Sequence, residues 1–192
     1  MRPPRLQGSR RDLPLADLGV RQAELTRDFL AVRAIDHCYT SPLVRAVQTA
    51  EIIAAPHHLK PIPCEELIEC DVGRWEDLDW QTIRKQEPEA YEKFMANPAA
   101  FGYPEGESLT DIYQRSSPYL EALLEKHAGE VTLVVSHHVI GRAFLAGILG
   151  LPLSRARQVT LDNCGISVVE RQGQQTAVTT LNALFHLQGA AA

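Results

Sequence analysis

The chain has 192 residues, 45% of them hydrophobic, and a formal net charge of -5. These values suit one α/β domain with a sizeable core, and they exclude a protein that grips nucleic acid through a global positive field. No apolar run approaches the ~20 residues of a membrane span, the start Met1-Arg2-Pro3-Pro4-Arg5 lacks the apolar region of a signal peptide, and the four cysteines (Cys38, Cys64, Cys70, Cys164) form no CxxC pair. Such cysteines read as buried, reduced thiols of a cytoplasmic protein, not as a disulfide framework or a zinc site.

In chain order, residues 17–32 have helical periodicity, with Leu18, Leu25, Phe29 and Val32 on one face. Ile35 to Tyr39 reads as a short strand running into Thr40-Ser41-Pro42, where Ser41 is placed to cap a helix and Pro42 to open it. Leu43, Val47, Ala50 and Ala54 then form an apolar stripe. A weaker strand signal covers residues 61–69. Asp79 to Met95 is helical with a break near Pro88. Ser108-Leu109-Thr110-Asp111 has the capping-box pattern and opens a helix to about Lys126, which Pro118 should kink or divide. Val131 to Val135 is a continuous apolar run, as in a strand buried on both faces. Ser136-His137-His138 follows, then a helix to Leu149 stopped by Gly150. Ile166–Glu170 and Thr176–Leu181 flank Gly173 as a hairpin. Strands alternating with helices imply one domain with a largely parallel sheet covered on both sides. Ligands of such sheets sit at the carboxyl ends of strands.

Three residues after strands could carry chemistry. Arg45 lies in the first turn of a helix, where free amides, the dipole and a planar guanidinium all favour a phosphate; pairing with Glu51 is the plain alternative. Glu69 sits among apolar residues in Leu67-Ile68-Glu69-Cys70-Asp71-Val72-Gly73-Arg74-Trp75-Glu76 and could have a raised pKa suited to a general acid. Spacing alone does not separate it from Asp71 or Glu76. His137 ends the most hydrophobic strand, placed for catalysis or phosphate binding, or simply to fill space. His138 begins the following turn and should point elsewhere, and His57-His58 reads as solvated. His37 reads as core or sheet surface. No metal site is expected, because no clustered carboxylate or third histidine appears at ligand spacing.

Together the pieces resemble the histidine phosphatase (phosphoglycerate mutase-like) superfamily. Arg5-Leu6-Gln7-Gly8, Asp12-Leu13-Pro14-Leu15, Leu18-Gly19 and Gln22-Ala23 resemble its segment after the catalytic motif. Thr40-Ser41-Pro42-Leu43-Val44-Arg45-Ala46-Val47-Gln48-Thr49-Ala50 resembles its second-arginine motif, and Leu67-x-Glu69-x-x-x-Gly73-x-Trp75-Glu76 its acid motif. Pro104-x-Gly106-Glu107-Ser108, Val134-Val135-Ser136-His137 and the ending Leu181-Asn182 to His186-Leu187 complete an ordered set.

The resemblance implies a three-layer αβα sandwich with a mostly parallel sheet. It implies a phosphomonoester hydrolase acting on small phosphorylated metabolites through a phosphohistidine, with no cofactor, nucleic acid or membrane as partner; a homodimer is compatible with it. By match, Arg45 and His137 bind the phosphoryl group, Glu69 protonates the leaving oxygen and then activates water, and Gln7 and Gly8 line the substrate mouth. The chain departs from the pattern in three places. The family's Arg-His-Gly motif, with its nucleophilic histidine, is absent, so the first strand is expected to be missing and the chain as written inactive. His138-Val139 stands where relatives carry glycines, so His138 is expected to narrow the substrate pocket or add a donor. Asp77 stands where a glycine is common. A phosphoglycerate mutase-type phosphotransferase and a non-catalytic phospho-ligand-binding remnant are the alternatives.

Overall fold

A computed structural model describes residues 5–188; the remainder of the Met1–Arg5 start lies outside the described residues. The elements run α1 (Asp17–Leu30), β1 (His37–Thr40), α2 (Val44–Ala54), β2 (Ile62–Pro63), α3 (Trp80–Gln86), α4 (Pro88–Ala96), α5 (Leu109–Lys126), β3 (Thr132–Val135), α6 (His138–Ile148), β4 (Ile166–Gln172) and β5 (Gln175–Ala183). The first three strands form a parallel sheet in the order β2-β1-β3, with Tyr39 opposite Val134. The last two form an antiparallel hairpin.

The two-residue period of the strands builds the layers. Cys38, Leu133 and Val135 turn to one side and pack with Ala50 and Ala54 of α2. Tyr39 and Val134 turn to the other and pack with Leu120 and Leu123 of α5 and Phe144 of α6. α1 lies against α2 and α5 against α6. The result is the expected αβα sandwich.

Several local expectations are corrected. The helix ends at Leu30, short of the exposed Val32; Leu18 and Phe29 are exposed and Leu25 is only partly buried, and the helix buries Ala23 and Thr26 instead, small enough for close approach to its neighbour. Ser41 does not cap α2: the helix starts after Leu43, and Asp12, far away in sequence, accepts from the Val44 amide at 2.8 Å. Pro118 does not divide α5, which is continuous from Leu109 to Lys126 behind its Ser108/Asp111 capping box. The 61–69 strand shrinks to two residues followed by a 3-10 turn. The β3 residues are only half-buried, and Val131 is 51% exposed. Among the described residues β3 pairs only with β1, so its other edge lacks a ladder.

A loop and a turn set the site's floor. Trp75 is fully buried, edge-on to Phe94 at 5.4 Å and to Tyr103 at 5.9 Å between ring centroids. The turn that delivers it begins at Gly73, in the left-handed region with φ +57°. A Cβ there would sit against the carbonyl oxygen of Pro104. Gly73→Ala is therefore expected to cost at least about 2 kcal/mol, through both strain and clash. Urea unfolding checks this; an unchanged midpoint would mean the two segments part freely.

Candidate active site

Arg45, Glu69 and His137 converge at the carboxyl ends of β1 and β3. Arg45 stands in the first turn of α2 because the chain turns there through Ser41-Pro42-Leu43. Its guanidinium donates to the carbonyls of Gly8 (3.1 Å) and Arg11 (3.3 Å), and no Glu51 pairing forms among the described residues.

His137 is the N-cap residue of α6. Its Nε2 lies 2.7 Å from the Ser41 hydroxyl. Ser41 is thus diverted from capping a helix to holding an imidazole, a role with no signature in sequence. Burial pushes His137 down to about 3, and the positive charges of Arg45 and Arg115 add to this. The imidazole is neutral at physiological pH.

Glu69 is 5% exposed. Burial pushes its carboxyl up to about 7 against the opposing pulls of the Cys70 amide, the Arg45 charge and the Val139 amide at the start of α6. The Cys70 amide donates to its Oε1 at 2.8 Å. A carboxyl near 7 is protonated often enough to donate and ionised often enough to accept. Asp71 instead pairs with Arg10 at 2.7 Å, and Glu76 accepts from the Gly8 amide at 2.9 Å. Tertiary environment therefore separates three acids that spacing leaves equivalent.

Arg115 of α5 holds this loop. Its guanidinium makes a two-bond fork with Glu107 (3.0 and 3.1 Å) and donates to the carbonyls of Glu66 (2.9 Å) and Ile68 (3.1 Å). Glu107 also accepts from the Asp71 amide at 2.8 Å. Ser136, beside His137, donates to the Leu67 carbonyl at 3.0 Å. Sequence reasoning missed Arg115; the capping-box helix that carries it was legible, but nothing local marks its partner.

The remaining expected site residues are placed differently from one another. Residues 5–9 run along the acid loop, with Leu6 bonded to Leu78 and Ser9 to Cys70. Gln7 is exposed and reaches only the Arg11 carbonyl, at 3.4 Å. Gly8 is buried, a Cβ on it would meet the Cys70 carbonyl at 2.6 Å, and its carbonyl accepts from Arg45. The His138 ring neighbours Arg142, Leu161 and Asp162. Asp77 adopts φ +63°, which explains a preference for glycine there, and Arg5 and Arg11 both pair with its carboxylate. Two surface clefts, one lined by Tyr113, Phe144 and Arg171 and the other by Gln22, Asp162 and Leu187, lie away from this cluster. Side-chain chemistry, not concavity, marks the site.

Away from this cluster, His37, His127 and Glu130 bring three donor groups together, an approach that sequence spacing does not show because the pairing of His37 with Thr132 joins segments some ninety residues apart.

A model of the histidine phosphatase superfamily (branch 1) matches residues 3–184. The chain is 31% identical over 176 residues to phosphoserine phosphatase 1 of Hydrogenobacter thermophilus, covering 92% of this chain and 83% of that protein. It is 33% identical over 168 residues to a probable phosphoglycerate mutase of Yersinia pestis, covering 88% and 78%. Among solved structures, Bacillus stearothermophilus YhfR superposes with a TM-score of 0.88 at 27% identity, over 95% of this chain and 91% of that one. A phosphoserine phosphatase variant from Entamoeba histolytica in complex with phosphoserine superposes with a TM-score of 0.82 at 25% identity, over 95% and 90%.

Burial of Glu69 has a consequence for stability. The unfolded carboxyl ionises near 4.5 and the folded one near 7, so between these values the unfolded state holds fewer protons and stability falls as pH rises. His137 acts oppositely, since its folded pKa is depressed: its contribution is present above about 6.5 and is lost as pH falls towards 3. Comparing the protein with Glu69→Gln isolates the first effect. The variant is expected to gain on the parent by on the order of 3 kcal/mol between pH 4.5 and 7. Denaturant midpoints across that range check this; parallel curves would place Glu69 in water.

Proposed function

Because the chain belongs to the histidine phosphatase superfamily (branch 1), we propose that its Arg45–Glu69–His137 cluster is the phosphate cradle and proton donor of a phosphomonoester hydrolase for small phosphorylated metabolites. The observation that carries this is a buried carboxyl near 7 beside a guanidinium and a neutral imidazole. Arg45 supplies permanent positive charge and two donors to the phosphoryl oxygens, exchanging the carbonyls of Gly8 and Arg11 for them. His137, oriented by Ser41, adds an uncharged donor on the same group. In a chain that carries the family's acceptor histidine, that histidine would bond to phosphorus as the ester oxygen leaves with the Glu69 proton, and the Glu69 carboxylate would then take a proton from the water that displaces the histidine. Charge neutralisation and positioning supply most of the catalysis in such transfers.

The family's acceptor is a histidine in an Arg-His-Gly motif, and none of the seven histidines here occupies one. Of the others, His37 and His127 bond to Glu130, and His186 to Thr26. On this reading the 192-residue chain by itself is expected to bind phosphate without hydrolysing phosphomonoesters. The Yersinia relative favours a second reading, a phosphoglycerate mutase-type transferase, and the relative from Hydrogenobacter favours hydrolysis.

Titration with inorganic phosphate tests the cradle: Arg45→Gln should weaken binding at least about tenfold, and equal affinity would remove Arg45 from the site. Phosphate release from phosphoserine by the 192-residue chain should stay at background; phosphohistidine formed on it would refute the assignment of roles. The coding DNA upstream of Met1 is a separate check. If in-frame codons there specify a strand ending in Arg-His-Gly, the extended protein should hydrolyse phosphoserine, and both Glu69→Gln and His137→Ala should lower turnover by about 100-fold or more. Isomerisation of 3-phosphoglycerate without phosphate release would favour the transferase.

A further inference from the structure

We infer that His37, His127 and Glu130 form a second site, for a borderline divalent cation such as Zn2+, at the end of the sheet opposite the phosphate cradle. His37 opens β1, His127 ends α5 and Glu130 lies just before β3. The Glu130 Oε2 is 2.9 Å from His37 Nε2 and 3.0 Å from His127 Nδ1. The two imidazoles lie with centroids 3.8 Å apart, both turned to the same carboxylate oxygen. Donors around a tetrahedral zinc stand about 3.4 Å apart, and the three donor atoms here already lie within 4.8 Å of one another.

The surroundings suit a ligand set. Asp36 and Val131 bond to each other through both amide and carboxylate contacts at 2.8 Å, which fixes the backbone next to His37 and Glu130. The other ring nitrogen of His127 is 2.9 Å from the Tyr39 hydroxyl, and Lys126 donates to that hydroxyl at 3.1 Å. A hydrogen bond of this kind on the far nitrogen orients a metal-bound imidazole and sets its tautomer. His127 is nearly buried, whereas Glu130 is half-exposed. The ion would thus have two nitrogens and one oxygen from the protein and one position open to water. Two imidazoles favour zinc-like ions over Mg2+ or Ca2+, which prefer all-oxygen sets. Four strand residues, or ~13 Å, separate His37 from Ser41, so the ion would bridge α5, β1 and β3 without touching the phosphoryl group.

Without an ion the same atoms share protons: Glu130 accepts from both rings, and those histidines hold its carboxyl below the usual range. A cation would displace those protons, so binding should weaken on acidification.

The test is titration of the chelator-treated 192-residue chain with Zn2+ against a chromophoric competitor. One equivalent is expected to bind, with affinity reduced at least about tenfold in His37→Ala and in Glu130→Gln, and without competition from Mg2+. The absence of stoichiometric binding, or equal affinity in both variants, would overturn the site. Should a variant fail to fold, histidine ring nitrogen shifts of the unaltered chain decide. Zn2+ must move His37 Nε2 and His127 Nδ1; movement at His137 or His186 instead would overturn it equally.

Discussion

The site depends on one clamp, the Arg115 guanidinium. It bonds the Glu107 carboxylate on one side and the carbonyls of Glu66 and Ile68 on the other. Glu107 completes the bracket by accepting from the Asp71 amide. Glu69 is therefore held from both flanks, and its own side chain is left to turn inward. A carboxyl exposed on an untethered loop would ionise like any other. The pair is only a quarter exposed, so solvent screens it less than an ordinary surface bridge.

The same clamp contributes to the electrostatics. Arg115 and Arg45 both disfavour a proton on His137, while burial favours one on Glu69. At neutral pH a neutral imidazole thus stands beside a carboxyl that exchanges readily between its protonated and ionised forms. That spares the empty cradle an array of buried charges and keeps Arg45 as the positive centre. Two carbonyls, from Gly8 and Arg11, occupy its donors, so the N-terminal segment is part of the site's floor even though Gln7 itself points to solvent.

The sheet divides the molecule's chemistry by direction. Carboxyl ends of β1 and β3 carry Ser41 and His137; amino ends carry His37 and the approach through Glu130. Helix and strand directions bring different groups to each end, and the parallel register of β1 on β3 builds both clusters at once. The half-buried state of β3 follows from its single partner among the described residues.

Much of this was determined by the sequence alone. Periodicity placed α2, α5, α6 and the terminal hairpin, because amphipathic spacing and capping are local physics. The ordered motifs identified the family and singled out Arg45, Glu69 and His137. Tertiary structure decided what local pattern could not carry. It chose Glu69 over Asp71 and Glu76, since only burial distinguishes three carboxylates in one loop. It turned Ser41 from a helix cap into a support for His137 and recruited Arg115. It buried Ala23 and Thr26 of α1 in place of Leu18 and Phe29, because a helix buries whichever side its neighbour meets. It joined His37 to His127 and Glu130, because strand pairing, not sequence distance, determines which donors share a neighbourhood.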